Sequence, residues 1–201
     1  MADDATLAIR EVGALKPETS LEDTVRDRAG KGDRRGALEL LMRTYEDEVF
    51  GFALRIVHDR VIAQDVLQQT FLEVHRDLAT FSGKSSLRSW LLSITYHRAI
   101  DAMRRHRRET ARTAENDLDE LPDMKSGPDA SIDAQRRLKA LADCLQELPV
   151  KIRAAVLMRF KNGLAYEDMA RTFQEKSGTL QARVARALRA LRQCLAGKGV
   201  A

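Results

Sequence analysis

Apolar residues along this chain recur at intervals of three and four, and sustained alternation at intervals of two is absent. Leu38, Leu41, Tyr45, Val49, Phe52 and Ile56 are spaced 3, 4, 4, 3 and 4 apart. That spacing predicts one amphipathic helix of about six turns. Ile62, Val66, Phe71, Val74 and Leu78 mark a second. The polar run Phe81-Ser82-Gly83-Lys84-Ser85-Ser86 breaks the pattern as a loop, and a third helix follows from Leu87 to Arg108. Apolar side chains cover most of its circumference. The polar gap is a narrow strip through Ser89, Ser93, His97, Arg104 and Arg108, ending in the run Arg104-Arg105-His106-Arg107-Arg108.

Periodicity returns in the last third of the chain. Leu138, Leu141, Leu145 and Leu148 form a stripe that Pro149 ends, and Ile152, Ala155, Val156, Met158 and Phe160 form another, closed by Asn162-Gly163 as a C-cap. Tyr166 to Phe173 reads as a short helix with Met169 and Ala170 inward, and Thr179 reads as the N-cap of a last helix reaching about Leu195. Leu180, Val184, Leu188, Leu191 and Leu195 line one side of that helix; Thr179, Ala182, Arg183, Arg186 and Arg189 line the other. A short helix, a tight turn and a longer helix with an arginine outer face make the helix-turn-helix pattern, whose second helix enters the DNA major groove. The predicted fold is all-α. An extension over residues 1–30 precedes a helical domain at 31–110, a flexible acidic linker with Pro122, Gly127 and Pro128 at 111–133, and a second small helical domain at 134–198.

Composition changes this picture little. Aromatic residues are 5% of the 201, which agrees with helix rather than sheet, and the net charge of +4 is ordinary. Clustering matters more. Arg104–Arg108 and Arg183–Arg192 are basic and Glu115–Asp129 is acidic, an arrangement suited to a polyanion. No run approaches the ~20 apolar residues of a membrane span, and the N-terminus lacks a signal-like apolar core. A soluble, cytoplasmic protein without membrane insertion is expected. Cys144 and Cys194 then read as two reduced thiols rather than a disulfide or a metal site. His58, His75, His97 and His106 lack metal-ligand spacing, and there is neither a glycine-rich phosphate loop nor a pair of acids. No catalytic residue, metal or cofactor is expected, and the chain reads as non-enzymatic.

Several short motifs occur in a telling order: Asp65-Val-Leu-Gln68-Gln-Thr-Phe71, Phe81-Ser-Gly-Lys-Ser-Ser-Leu87-Arg-Ser-Trp90-Leu91, Ala99-Ile-Asp101 before the basic run, Leu148-Pro149, Tyr166-Glu-Asp-Met-Ala170, and Ser177-Gly178-Thr179 followed by Arg183 and Ala187-Leu188. Over residues 33–197 this order resembles the extracytoplasmic-function (ECF, group IV) sigma factors. The resemblance implies a sigma domain 2, a linker and a sigma domain 4. It also implies binding to core RNA polymerase (the β′ clamp helices and the β flap) and to promoter DNA, recognition of −35 and −10 elements, promoter opening in a stress or signal response, and control by an anti-sigma factor. Carried over to this chain, Asp65, Gln68, Gln69 and Phe71 would dock on polymerase, although Phe71 reads equally as core. Lys84, Ser85, Ser86, Arg88, His97, Arg104, Arg105, Arg107 and Arg108 would engage the −10 DNA. Trp90 reads as core. Lys176, Ser177, Thr179, Gln181, Ala182, Arg183 and Arg186 would engage the −35 DNA, with Arg183 the candidate for bidentate reading of guanine.

The chain departs from the family pattern at four places. Gln64 and Gln69 replace acids of the docking helix, His97 stands where Asn is common, Gln174-Glu175-Lys176 replaces a Gly-apolar-Pro turn, and Gln181-Ala182 replaces Lys-Ser. A carboxylate at Glu175, in a normally buried position, costs about 1–3 kcal/mol unless it finds a partner. The missing acids suggest phosphorylation of Thr70, which would return about two negative charges to the docking helix and make a kinase the alternative regulator. The rival reading is a two-domain DNA-binding regulator that never touches polymerase; a docking helix beside a −10-like loop argues against it.

Overall fold

The computed structural model describes residues 18–113 and 132–200, and every regular element among them is helical. The expected linker falls mainly on residues 114–131, outside the described residues. The described chain divides into two compact units.

The first unit comprises α1 (Glu18–Gly30), α2 (Arg34–Val57), α3 (Arg60–Asp77), a 3₁₀ turn (Leu78–Thr80) and α4 (Leu87–Thr113). Two aspartates start its helices as N-caps: Asp33 accepts from Gly36 N at 2.9 Å and Asp59 from Ile62 N at 2.7 Å. The predicted stripe of α2 is buried apart from the half-buried Leu38: Leu41, Tyr45 and Val49 meet Phe71 and Val74 of α3 and Leu87, Leu91 and Ile94 of α4 in the core, and Phe52 and Ile56 are buried as well. The extension expected over 1–30 gives way at Glu18 to a helix that belongs to this bundle. Val25 is fully buried, and Glu22 Oε1 accepts from Leu87 N at 2.7 Å. A carboxylate 65 residues away in sequence thus satisfies an open amide at the start of α4. The sequence hides this because α1 commits only the short row Leu21, Val25 and Ala29 to the core, with a single large residue fully buried. Gly83 turns the 81–86 loop at φ 68°, where a Cβ would meet Arg26 Nη2 at 2.8 Å.

The second unit comprises α5 (Ile132–Gln146), α6 (Val150–Val156) continuing into a π turn (Leu157–Lys161), α7 (Tyr166–Phe173) and α8 (Ser177–Gly197). Met158, Met169, Phe173, Leu180, Val184 and Leu191 are buried in it. Two expectations are corrected here. The leucine stripe of α5 is only partly its buried face: Ala140 and Cys144 go fully inward, Leu141 and Leu145 are half-buried, and Leu138 is 38% exposed. The two cysteines are not free thiols either; Cys144 and Cys194 form a disulfide, their Cα atoms 5.9 Å apart, joining α5 to the end of α8. The stripe reading missed this because it set the phase of α5 by leucine spacing, and Cys144 lies just outside that phase.

The disulfide closes a segment of 50 residues that holds most of the unit. Chain entropy for a loop of that size predicts that reduction removes up to about 4 kcal/mol of stability. Melting curves with and without a reductant check this: the midpoint of this unit should fall on reduction, and the Cys194→Ser variant should not respond.

Candidate functional site

Three surfaces gather the residues singled out above. The first is the outer face of α3. Gln64, Asp65, Gln68 and Gln69 are exposed on it, as expected. Phe71 is not. At 5% exposure it lies in the core beside Tyr45 and Val74, so it is a packing residue and no docking anchor. The apolar residues that do face solvent are Val61, 68% exposed, and Leu72, 63% exposed. Val61, Asp65, Gln68 and Leu72 are spaced 4, 3 and 4 apart, which puts them on one side of the helix. Both apolar members could have been found in the sequence, because they fall out of phase with the stripe that packs α3.

Thr70 is corrected as well. It is fully buried, and its Oγ1 donates to Val66 O at 2.8 Å. Its place four residues after the buried Val66 turns it inward, so no kinase reaches it in the folded chain, and the phosphorylation expectation is withdrawn.

The second surface runs from the 81–86 loop along α4. The rings of Phe81 and Trp90 pack with centroids 5.0 Å apart against the core, as the core reading of Trp90 has it. Lys84 is exposed. Ser86 serves as the N-cap of α4, its Oγ accepting from Ser89 N at 3.1 Å, and Ser89 itself is buried instead of lying on the polar strip. Ser85 is half-buried.

Arg88 is also committed elsewhere. Its Nε lies 2.9 and 3.0 Å from the two carboxylate oxygens of Glu48 and its Nη2 2.7 Å from Oε1, with both side chains about four-fifths buried. It clamps α4 to α2, a role invisible in a motif read one helix at a time. Arg88→Ala is expected to cost roughly 1–3 kcal/mol by removing the cation that faces the Glu48 carboxylate, with no change in the salt dependence of DNA binding. A salt slope that falls by about one at unchanged stability would return Arg88 to the DNA contacts.

Further along α4, His97 is exposed beside Tyr96, and Arg104, Arg105, Arg107 and Arg108 are all exposed. Their internal bonds are weak ones. Arg104 lies 3.8 Å from Asp101, and Arg108 Nε donates to Arg104 O at 3.2 Å. These four guanidinium groups and His106 form the densest cationic surface of the first unit.

The third surface is the start of α8. The helix begins at Ser177 with Lys176 as the N-cap position, three residues before the Thr179 expected. Ser177 is half-buried, while Lys176, Thr179, Gln181, Ala182 and Arg186 are exposed along one side. The preceding turn is formed by Gln174 in the left-handed region at φ 51°, which brings Glu175 N onto Ala170 O at 3.1 Å. Glu175 is 12% exposed at its side chain, and its Oε1 takes Arg183 Nη1 at 2.7 Å and Lys151 Nζ at 2.6 Å. The carboxylate that looked unfavourable in the turn has found two cations, one on α6 and one on α8.

Among the described residues no cluster of His, Cys, Asp or Glu is placed to hold a metal ion. No helix among them is long and apolar enough to cross a membrane.

Comparison with known proteins assigns a family to each unit. The Sigma-70 region 2 family matches residues 41–109, and the Sigma-70, region 4 family matches residues 138–191. The chain is similar to the RNA polymerase sigma-H factor of Pseudomonas aeruginosa, at 33% identity over 84% of this chain and 91% of that protein. It is similar to the ECF RNA polymerase sigma factor SigK of Mycobacterium tuberculosis, at 30% identity over 75% of this chain and 81% of that one. In fold it resembles the sigma factor RpoE, solved with the anti-sigma factor NepR from Bartonella quintana. That match has a TM-score of 0.66 at 23% identity, over 77% of this chain and 93% of that chain.

Proposed function

The chain belongs to the ECF sigma factors, and from that membership we propose which of its surfaces carry each part of transcription initiation. The family binds core RNA polymerase, directs it to promoters and is non-enzymatic; RNA synthesis is the polymerase's own chemistry. In this chain the Val61-Asp65-Gln68-Leu72 face of α3 docks on the polymerase clamp. Two apolar contacts flanked by a carboxylate and an amide suit a basic helical surface, with the apolar pair supplying affinity and Asp65 the register. Lys84, His97 and the Arg104–Arg108 end of α4 hold the −10 region. Opening a duplex means gripping backbone phosphates while a base is drawn out of the stack, and a solvated guanidinium cluster supplies that grip. The −35 element is read by the start of α8, where Arg183, Gln181 and Arg186 are positioned for base edges and phosphates, with Lys176, Ser177, Thr179 and Ala182 beside them.

The observation that carries this reading is the exposed arginine end of α4, with no buried acid against it among the described residues, in a helix whose first half buries Leu87, Leu91, Leu92 and Ile94. Permanganate probing of thymines at the −10 element of a promoter bound by core polymerase and this chain tests it. The account expects strong reactivity with the wild type and little with the four arginines replaced by Gln. Equal reactivity for both would remove the assignment. With Thr70 buried, the kinase reading is set aside and an anti-sigma factor is the regulator proposed, the class of partner with which RpoE of Bartonella quintana was solved.

A further inference from the structure

The turn before α8 holds an arrangement that the reading roles leave unexplained. Glu175 is nearly buried and gives a single oxygen, Oε1, to both Lys151 and Arg183, while its Oε2 is buried with no hydrogen-bond partner. A buried carboxylate oxygen without a donor works against stability. An apolar residue would suit the site for packing alone, between the buried Phe173 and Leu180. The same carboxylate fixes two exposed cations. Lys151 and Arg183 are 40% and 41% exposed, and without the shared oxygen they would repel each other and swing independently into solvent. Arg183 uses only Nη1 on Glu175. Its Nε and Nη2 are left for an acceptor outside the chain.

We propose that Glu175 is the positioning residue of the −35 reader: it holds the Arg183 guanidinium in one orientation, by one edge, so that the opposite edge meets a base. The inference rests on the reading of α8 as the −35 helix. A guanidinium selects guanine only when its plane and two donors are fixed against the two acceptors of that base; a freely rotating one contributes to phosphate attraction without sequence preference. Glu175 thereby exchanges non-specific attraction for discrimination. It also neutralises one positive charge at the DNA-facing end of the unit, which lowers affinity for arbitrary sequence.

The test uses core polymerase loaded with the full-length chain and a DNA library randomised across the −35 element. Sequences bound by wild type, Glu175→Gln, Glu175→Leu, Arg183→Ala and the Glu175→Gln/Arg183→Ala double variant are compared, and the salt dependence of binding to random DNA is measured in parallel. Arg183→Ala should erase the preference at one base pair. Glu175→Gln and Glu175→Leu should weaken discrimination at that same base pair by about tenfold, leave the other −35 positions unchanged, and steepen the salt slope by about one. The double variant should lose no more than Arg183→Ala alone. Full preference in both Glu175 variants, with Arg183→Ala defective, overturns the positioning role and leaves the −35 reading intact. An unchanged preference in Arg183→Ala overturns both. Loss at every −35 position together with a lowered melting midpoint makes Glu175 a staple of the fold and overturns the proposal as well.

Discussion

Leu72→Asp is expected to weaken binding to core RNA polymerase by at least about thirtyfold while leaving the melting curve of the chain unchanged. The neighbouring Phe71→Ala should do the reverse. Leu72 is 63% exposed and Phe71 5% exposed, so adjacent residues on one helix serve different purposes. Truncating a packed phenylalanine removes its transfer energy and leaves a cavity, together worth roughly 3–5 kcal/mol. That is a large part of the 5–15 kcal/mol typical of a whole domain. Placing a charge at an exposed position costs little in the free chain. In a docked interface the same charge is desolvated against an apolar surface, and loss of a central apolar anchor alone is worth about 2 kcal/mol or more. Thermal unfolding and titration of labelled chain with core polymerase separate the two effects. A Leu72→Asp variant that binds core normally would move the docking surface away from α3.

Replacing Arg104, Arg105, Arg107 and Arg108 together by Gln is the second large effect expected. Each phosphate contact releases counterions and contributes about 0.9 to the slope of log affinity against log salt. Loss of all four should flatten that slope by up to about 3.6 units and lower promoter affinity by about a hundredfold near physiological salt. Because all four are exposed, the fold should not change. Measuring holoenzyme binding to a promoter across a salt series checks the slope directly. A slope equal to wild type, with affinity reduced, would mean that the run acts through the protein and not on phosphates.

How far the sequence could be read depended on whether one helix sufficed to interpret a residue. The stripes of α2 and α3 and the short helix α7 were legible because burial follows the three-and-four spacing within each element. The same spacing, applied more strictly, places Thr70 inward and Val61 and Leu72 outward and decides Phe71 for the core, since the buried row of α3 runs through Val66, Thr70 and Val74. Residues committed to another helix were not legible. Arg88 reaches Glu48, Glu22 caps Leu87, and Cys144 meets Cys194, and each of these pairs depends on tertiary approach. Glu175 is the instructive intermediate: its cost was plain from the turn position, but its partners Lys151 and Arg183 came only with the fold.

Run-off transcription by purified core polymerase on a library of randomised promoters, with and without this chain, tests the central claim most directly when the transcript starts are sequenced. The account predicts new starts that appear only with the chain and share two spaced upstream elements. Those starts should be lost with Leu72→Asp and with the four-arginine replacement. Binding of the chain to DNA by itself, without any core-dependent start, would contradict it and make the protein a regulator that works apart from polymerase.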